Sequence, residues 1–396
     1  MNLSDYSNTG SGLRNWQYQP ATIKVVGVGS GGCNAVRTMV AAKINEMPNV
    51  QLIAVNTDKQ ALAGFDDGVV TIQIGEETTK GLGAGGNPEA GKKAVEESHE
   101  FIKAHLEGAD MVILTTGMGG GTGSGATPAV AKIANEMGIL TVGIITLPYS
   151  FEKEEKKELA KQGVLKLREF VDSLLVIEND KVFDERLSND IKHKTYAQFL
   201  SIVDDVLLKS IQAITIIITH HGIINRDFAD IKKTLSKSRT MYVSMGESLN
   251  REKSEECTND GTLENAIEEA LDSALNNPFV DGNNNIMEAK ERMLVVIANP
   301  HAKGVLPLVK EALSKRGISG INSGWYQEEG LLINKIKIAI VAGGFETGDS
   351  NISYTEVGQI ELQTLMPPEK IDPDRPAYLY NICPKFLKPY RKQSKK

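Results

Sequence analysis

Gly117-Met-Gly-Gly-Gly-Thr-Gly-Ser-Gly125 places six glycines in nine positions. An apolar run, Met111-Val-Ile-Leu-Thr115, precedes it, and a helix-like stretch from Ala126 to Met137, closed by Gly138, follows. Where a parallel strand passes through bare backbone into a helix, N–H groups face outward at the positive end of the helix dipole. Glycine lets that backbone approach a ligand closely. The pattern predicts an anion site, with phosphate as the natural occupant. A tight turn without a ligand would account for one or two of these glycines but not six.

Two further glycine turns lie upstream. The strand-like Ile23-Lys-Val-Val26 runs into Gly27-Val-Gly-Ser-Gly-Gly-Cys-Asn34, followed by a helical pattern from Ala35, and Gly81-Leu-Gly-Ala-Gly-Gly-Asn-Pro88 precedes another helix. Three such turns suit a polyphosphate. Gly27, Gly29 and Gly32 also satisfy the G-x-G-x-x-G dinucleotide fingerprint, but an acidic residue about 20 positions on is missing. Asp58, in Leu52-Ile-Ala-Val-Asn-Thr-Asp58, falls late for a ribose partner. A nicotinamide-dependent oxidoreductase therefore stands as the alternative, one that gives no reason for the second and third turns.

A chain of 396 residues is long enough for two domains with sizeable cores. Its 41% hydrophobic and 24% charged content is that of a globular protein. No apolar stretch approaches the roughly 18 residues of a membrane span, and the polar first twenty residues do not read as a signal peptide. A net charge of −7 gives no support for nucleic acid as a partner. Cys33, Cys257 and Cys383 are odd in number and widely spaced, which points to reduced thiols and a cytoplasmic setting. His220 and His221 are adjacent and would diverge on a helix, so no metal site is expected there.

Strand and helix patterns alternate through the first half: strands are expected at 23–28, 52–55, 70–74, 111–115, 140–146 and 174–177. Such alternation builds a parallel sheet covered on both faces, with the glycine turns at the carboxyl ends of its strands, where ligands of open α/β sheets bind. A long helix is expected from about Ala197 to Thr219. Its later part, Ile211 to Ile218, is apolar on nearly every side and so should be buried. Beyond it the pattern gives a helix (263–275), a strand (292–298), a helix (305–315) and a strand, Lys335-Ile-Lys-Ile-Ala-Ile340, whose period-two alternation implies one wet face. That suits a small mixed sheet with helices on one side.

These residues together resemble a known family. The run GGGTGSG is similar to the signature of the tubulin and FtsZ superfamily. Its surroundings, IKVVGVGSGGCNAV, AVNTDKQAL, GLGAGGNPEAGKKA and Asn225-Arg-Asp-Phe-Ala-Asp230, resemble the FtsZ branch of prokaryotic cell-division GTPases from about Ile23 to Phe345. The resemblance implies an α/β fold: a Rossmann-like parallel-sheet GTPase domain (21–195) after an N-terminal tail (1–20), a long central helix (196–221) and a smaller α+β C-terminal domain (222–346). A linker (347–373) and a C-terminal peptide with a basic tail (374–396) would follow.

The resemblance further implies GTP or GDP, with Mg2+ accompanying the nucleotide, bound by Gly29, Ser30, Gly31, Gly32, Cys33, Asn34, Gly119, Gly120, Gly121, Thr122 and Gly123. Glu152 would meet the ribose, and Lys156, at a position where the family usually carries arginine, would meet phosphate as a point charge. Without the resemblance most of 152–161 reads as a solvated helix face. Asp204 matches the family's base-contacting acid, since a carboxylate can accept from both the ring N–H and the amine of guanine. Taken alone it is an ordinary helix-face carboxylate. One turn earlier the family places a stacking phenylalanine; this chain has Leu200, with Phe199 beside it.

Asn225, Asp227 and Asp230 match the loop that polarises the attacking water, and Asp227 and Asp230 also suit the N-cap and first turn of a helix starting near Ala229. From Asp204 to Gly222 is 18 residues, about 27 Å along a continuous helix at 1.5 Å per residue, so this loop cannot reach its own nucleotide. It would serve the next subunit's, making head-to-tail filaments the implied self-assembly. Ser236 to Met245 departs from the family's glycine- and alanine-rich run. Asp374-Arg-Pro-Ala-Tyr-Leu379 resembles the family's partner-binding peptide, for division proteins or membrane tethers at a mid-cell site. The tail from Lys385 to Lys396, with six basic and no acidic residues, could touch anionic membrane or simply be a solubilising end. A slowly hydrolysing GTP-binding scaffold is the second alternative, motivated by Leu200, Lys156 and the altered second domain.

Overall fold

The computed structural model describes residues 21–66, 68–183, 195–219, 228–236, 240–248, 261–277, 279 and 286–345. Six parallel strands form the first sheet. In chain order they are β1 (Ile23–Val28), β2 (Val50–Asn56), β3 (Val69–Gln73), β4 (Met111–Gly117), β5 (Leu140–Leu147) and β6 (Ser173–Glu178), and in space they run β3-β2-β1-β4-β5-β6. The order reverses between β1 and β4, the switch point at which an open α/β sheet leaves a crevice at its carboxyl edge.

The helices that alternate with these strands are α1 (Gly29–Ala41), α2 (Lys59–Leu62), α3 (Glu76–Thr79), α4 (Pro88–Glu97), α5 (His99–Leu106), α6 (Gly121–Glu136) and α7 (Glu154–Arg168). Alternate residues along the strands feed two separate cores. Val25, Leu52, Ile113 and Val142 face one side with Val36 and Met39 of α1. Val26, Ile53, Leu114 and Ile145 face the other with Val95, Ile102 and Val130 of the later helices. Continuous Val, Ile and Leu runs in β1 and β4 are what a strand buried on both faces requires.

Helix α8 (Tyr196–Thr219) is 24 residues long. Ile211, Ile214, Ile217 and Ile218 are buried in the first of those cores, which continues without a break into Val243, Val296 and Ile338 of the second sheet. The apolar stretch of this helix is therefore sealed, as its composition predicted.

After α9 (Phe228–Leu235) the second sheet is built from β7 (Met241–Glu247), α10 (Gly261–Leu275), β8 (Glu291–Ala298), α11 (Val305–Lys315), β9 (Asn322–Gln327) and β10 (Ile336–Gly343), in the strand order β7-β10-β8-β9. β10 is antiparallel to β7 and β8, and β8 runs parallel to β9.

Three sequence expectations need correction. The alternation in β10 does not give a wet face: Ile336 and 338–343 are all buried, and only Lys337, paired with Glu328, reaches partly outward. The strand is central in the sheet, and α8 and α10 both pack against β7 and β10. Tyr242 and Gly246 point to α10, where the Tyr242 hydroxyl donates to Ala274 O at 2.5 Å and a Cβ on Gly246 would stand 2.1 Å from Ala270 O. The helices expected from Ala35 and Ala126 begin six and five residues earlier, inside the glycine runs themselves. Gly29, at φ +72°, turns the chain straight out of β1 into α1, leaving no loop between them.

Candidate functional site

A cavity of about 390 Å³ opens at the carboxyl ends of β1, β2, β4, β5 and β6. That volume lies within the usual range for a small-molecule site. Its floor is backbone. Ser30 and Gly31 come from the first turn of α1, Gly120, Gly121, Thr122 and Gly123 from the start of α6, and Gly83, Ala84, Gly85 and Gly86 from the third glycine turn. The first N–H groups of a helix have no intrahelical partner, so two helix starts meeting in one cavity give a double cradle for an anion.

Glycine is required here by crowding. A Cβ on Gly121 would stand 2.6 Å from Asn87 N, one on Gly31 2.9 Å from Gly117 N, and one on Gly32 2.6 Å from Thr115 O. The loops lie backbone against backbone, and hydrogen bonds hold them there. Gly119 N donates to Ser124 Oγ at 2.8 Å, and Thr116 Oγ1 donates to Val28 O at 2.8 Å, tying β4 to the end of β1.

The third turn is fastened at both ends. Gly83 N donates to Thr57 O, Lys59 N donates to Gly81 O, and the Asn87 side chain caps α4 by accepting from Glu89 N at 3.0 Å. Upstream, Glu97 of α4 accepts from Glu77 N at 2.9 Å and from the N–H and hydroxyl of Thr78. Those bonds, the Glu77 N–H foremost, hold its carboxyl below the usual range.

The end of β5, the loop after it and the first turn of α7 bring Thr146, Leu147, Pro148, Glu152 and Lys156 to the cavity. Glu152 Oε1 accepts from Tyr149 N at 3.1 Å, while its other oxygen pairs with Lys156 one turn on. Lys156 crosses Gly119, whose Cβ would sit 2.6 Å from the lysine Cγ. Asp180, next to the cavity-lining Asn179, fastens this loop by accepting from Ser150 N at 2.9 Å and Ser150 Oγ at 3.1 Å. Burial nevertheless pushes its carboxyl above the usual range.

Of the residues singled out from the sequence, Ser30, Gly31, Gly120, Gly121, Thr122, Gly123, Glu152 and Lys156 line the cavity. Gly29, Gly32, Cys33, Asn34 and Gly119 stand behind or beside it. Gly29 and Gly119 take positive φ in the turns, and the Cys33 side chain is buried, taking a hydrogen bond from Asn56 Nδ2 at 3.6 Å. Burial pushes the Cys33 thiol up. The exposed Asn34 side chain accepts from Arg37 at 3.0 Å.

Asp204 is half-buried on α8, its carboxyl raised by burial, and it is not among the residues lining the cavity. Asp230 is exposed in the first turn of α9. Asn225, Asp227, His220, His221, the C-terminal peptide and the basic tail lie outside the described residues, as do the side chains of Phe199 and Leu200.

Sequence reasoning assigned no role to Asn56, Thr146 or Asn179, and treated Asp58 only as a misplaced ribose partner. All four border the cavity. The signal that finds them is positional: each is the last residue of a parallel strand or lies within two residues of its end, where the sheet presents side chains to a ligand.

The chain has clear relatives. Residues 22–186 match the Tubulin/FtsZ family, GTPase domain. The cell division protein FtsZ of Buchnera aphidicola subsp. Acyrthosiphon pisum (strain APS) is 44% identical over 238 residues, a match spanning 60% of either chain. An empty FtsZ dimer from M. jannaschii is 32% identical and superposes with a TM-score of 0.70 over 83% of this chain and 89% of that one. The GTPγS-bound protofilament of CetZ2 from Haloferax volcanii shares the fold at a TM-score of 0.62 and 18% identity, over 83% and 94% of the two chains. The glycine cradle, the six-strand parallel sheet and these matches agree, and the chain belongs to the tubulin/FtsZ family.

Proposed function

We propose that this protein binds GTP in the cradle formed by α1, α6 and the third glycine turn, and hydrolyses it to GDP and phosphate while assembling head to tail into cell-division filaments. The observation that carries the reading is the meeting of two helix N-termini and a third glycine turn in one cavity, an arrangement suited to a chain of phosphates. Glu152, with Asn179 beside it among the lining residues, meets the sugar, and Lys156 adds positive charge beside Gly119; their position in the cavity lining supports this reading. Asp204 serves the base.

The same cavity bears on the magnesium ion. Mg2+ prefers oxygen ligands and is usually carried on phosphates with one or two carboxylates and water. Asp58, a half-buried carboxylate lining the cavity beside the third turn, is the residue fitted to it. When bound, the ion neutralises phosphate charge. Everything else in the site, from the helix N–H groups to Lys156, acts by positioning the nucleotide.

Asn225, Asp227 and Asp230 orient the attacking water, and they do so on the neighbouring subunit's nucleotide. Asp204 and Thr219 lie 15 residues apart on α8, about 22 Å of helix, and Asp230 lies beyond that end. Two different surfaces then meet at each junction, which propagates as a filament. The protein works in the cytoplasm at the division site, and Asp374-Arg-Pro-Ala-Tyr-Leu379 takes the tethering partner, with the basic tail as a weak membrane contact.

GTP turnover measured against protein concentration tests this reading. Specific activity should rise from a threshold, and a Gly121→Val chain, unable to bind GTP but carrying an intact acidic loop, should restore turnover to Asp230→Ala chains. Activity linear in concentration down to dilutions where light scattering shows only monomers would refute the shared site.

A further inference from the structure

Thr57 follows β2 between two residues that line the cavity, Asn56 and Asp58, yet is itself fully buried. Its hydroxyl stands 2.7 Å from the hydroxyl of Thr122, the second residue of α6 and part of the cavity floor. Its carbonyl accepts from Gly83 N at 3.2 Å and from Thr79 Oγ1 at 3.2 Å. One residue thus touches the signature turn through its side chain and the third glycine turn through its backbone.

The chemistry of the hydroxyl contact is specific. Several other buried hydroxyls in this chain donate to a backbone carbonyl: Thr116 to Val28, Ser210 to Val206, Thr215 to Ile211. A carbonyl only accepts, so it fixes its partner as a donor. Between two hydroxyls one O–H donates and the other oxygen accepts, and either atom can be the donor. A phosphate oxygen accepts only. If Thr122 donates its proton into the cavity, the bond behind it must run from the Thr57 O–H to the Thr122 oxygen. Such a two-step chain strengthens itself, because each donor polarises the next.

We propose that Thr57 is a positioning residue of the nucleotide site, holding the Thr122 hydroxyl from behind so that it donates to phosphate. The inference rests on the GTP reading above. Neither the fold nor the glycine crowding requires a hydroxyl at position 57: a valine there would keep the shape and the carbonyl that holds Gly83, removing only the proton donor.

The test is a double-mutant cycle on the full chain, read as GDP affinity by titration calorimetry, with denaturant unfolding in the absence of nucleotide as a separate readout. Thr57→Val should weaken GDP binding about five- to tenfold, the effect of one lost hydrogen bond. Thr57→Ser, which restores the hydroxyl, should bind within about twofold of wild type. In a Thr122→Val background, Thr57→Val should have no further effect, since its partner is gone. Thr57→Ala carries the same cycle if valine is not tolerated. Equal losses in both backgrounds, or wild-type affinity in Thr57→Val, would overturn this inference while leaving GTP binding in place. Failure of the wild-type chain to bind GDP or GTP would remove the nucleotide reading and this inference with it.

Discussion

Replacing Gly121 by alanine should weaken nucleotide binding while leaving the chain folded. The added Cβ would stand 2.6 Å from Asn87 N, 2.9 Å from Asn87 O and 2.9 Å from Gly86 C, all of them backbone. No flexible side chain is there to swing aside, so the third glycine turn itself has to retreat, by roughly 0.8 Å for the shortest contact to become ordinary. That retreat opens one wall of the phosphate cradle. Overpacking of this kind costs about 1–3 kcal/mol. If the turn yields only in the bound state, the same energy appears as about a 5- to 150-fold loss of affinity. Part of it will fall on stability, because Asn87 caps α4. Gly125→Ala makes the contrast. Its Cβ would lie 1.9 Å from Pro88 O, one turn further along α6 and off the cavity, so stability should suffer more than binding. Calorimetric titration with GDP and a slowly hydrolysed GTP analogue, beside urea unfolding without nucleotide, separates the two effects. A Gly121→Ala chain that binds with wild-type affinity would show that the third turn is not a wall of the site.

Asp230→Ala should bind nucleotide as wild type does but lose turnover by about a hundredfold or more, as removal of a water-orienting acid does; a tenfold loss of affinity, about 1.4 kcal/mol, would place the residue in its own subunit's binding site instead. For Asp204, burial raises the folded carboxyl, so this group's contribution to stability is full in acid and is lost as pH rises through the folded value. Asp204→Asn should therefore be more stable than wild type at neutral pH, with the difference closing toward about pH 4 as the wild-type carboxyl takes up its proton; lower stability of the variant at neutral pH would contradict the sign. Glu97→Ala removes the acceptor of the Glu77 and Thr78 N–H groups, and hydrogen exchange should speed up from Gly75 through Asn87; unchanged exchange there would mean the turn is held by its Thr57 and Lys59 bonds alone.

The first sheet was legible because its strands are short, largely apolar runs alternating with helical patterns, and β1 and β4 pass directly into glycine. Every strand expected in this sheet was found within two residues of its bounds. The second sheet was harder. The Lys335-Ile-Lys-Ile alternation that leads into β10 by period alone gives a strand with a wet face, yet β10 lies in the middle of its sheet with α8 and α10 packed against it. Burial on the second face is supplied by elements distant in the chain, and no local pattern encodes that. β7 and β9 went unanticipated for a related reason. β7 carries Tyr242, Ser244 and Gly246 on the side that meets α10, where a hydroxyl bond and a close backbone approach replace apolar bulk. Asn322-Ser-Gly of β9 has no strand preference to read.

For the site, composition revealed the phosphate cradle but not its walls. Glycines at Gly117 to Gly125 announce themselves, whereas Asn56, Thr146 and Asn179 are single polar residues whose meaning depends on strand order. Once β2, β5 and β6 are known to lie parallel to β1 and β4 in one sheet, their ends must converge on one edge, and these residues become cavity walls. The boundary between turn and helix was misplaced for the same physical reason that makes the cradle work. Glycine weakens helix propensity, so a run of six reads as loop. Here the runs continue as helix while Gly31, Gly32 and Gly121 lie against other backbone, where an added Cβ would clash. Close packing between turns sets their conformation, and the helix N-termini are thereby brought to the cavity. A lower-propensity start to α1 and α6 is tolerated because it places bare N–H groups where phosphate charge can meet them.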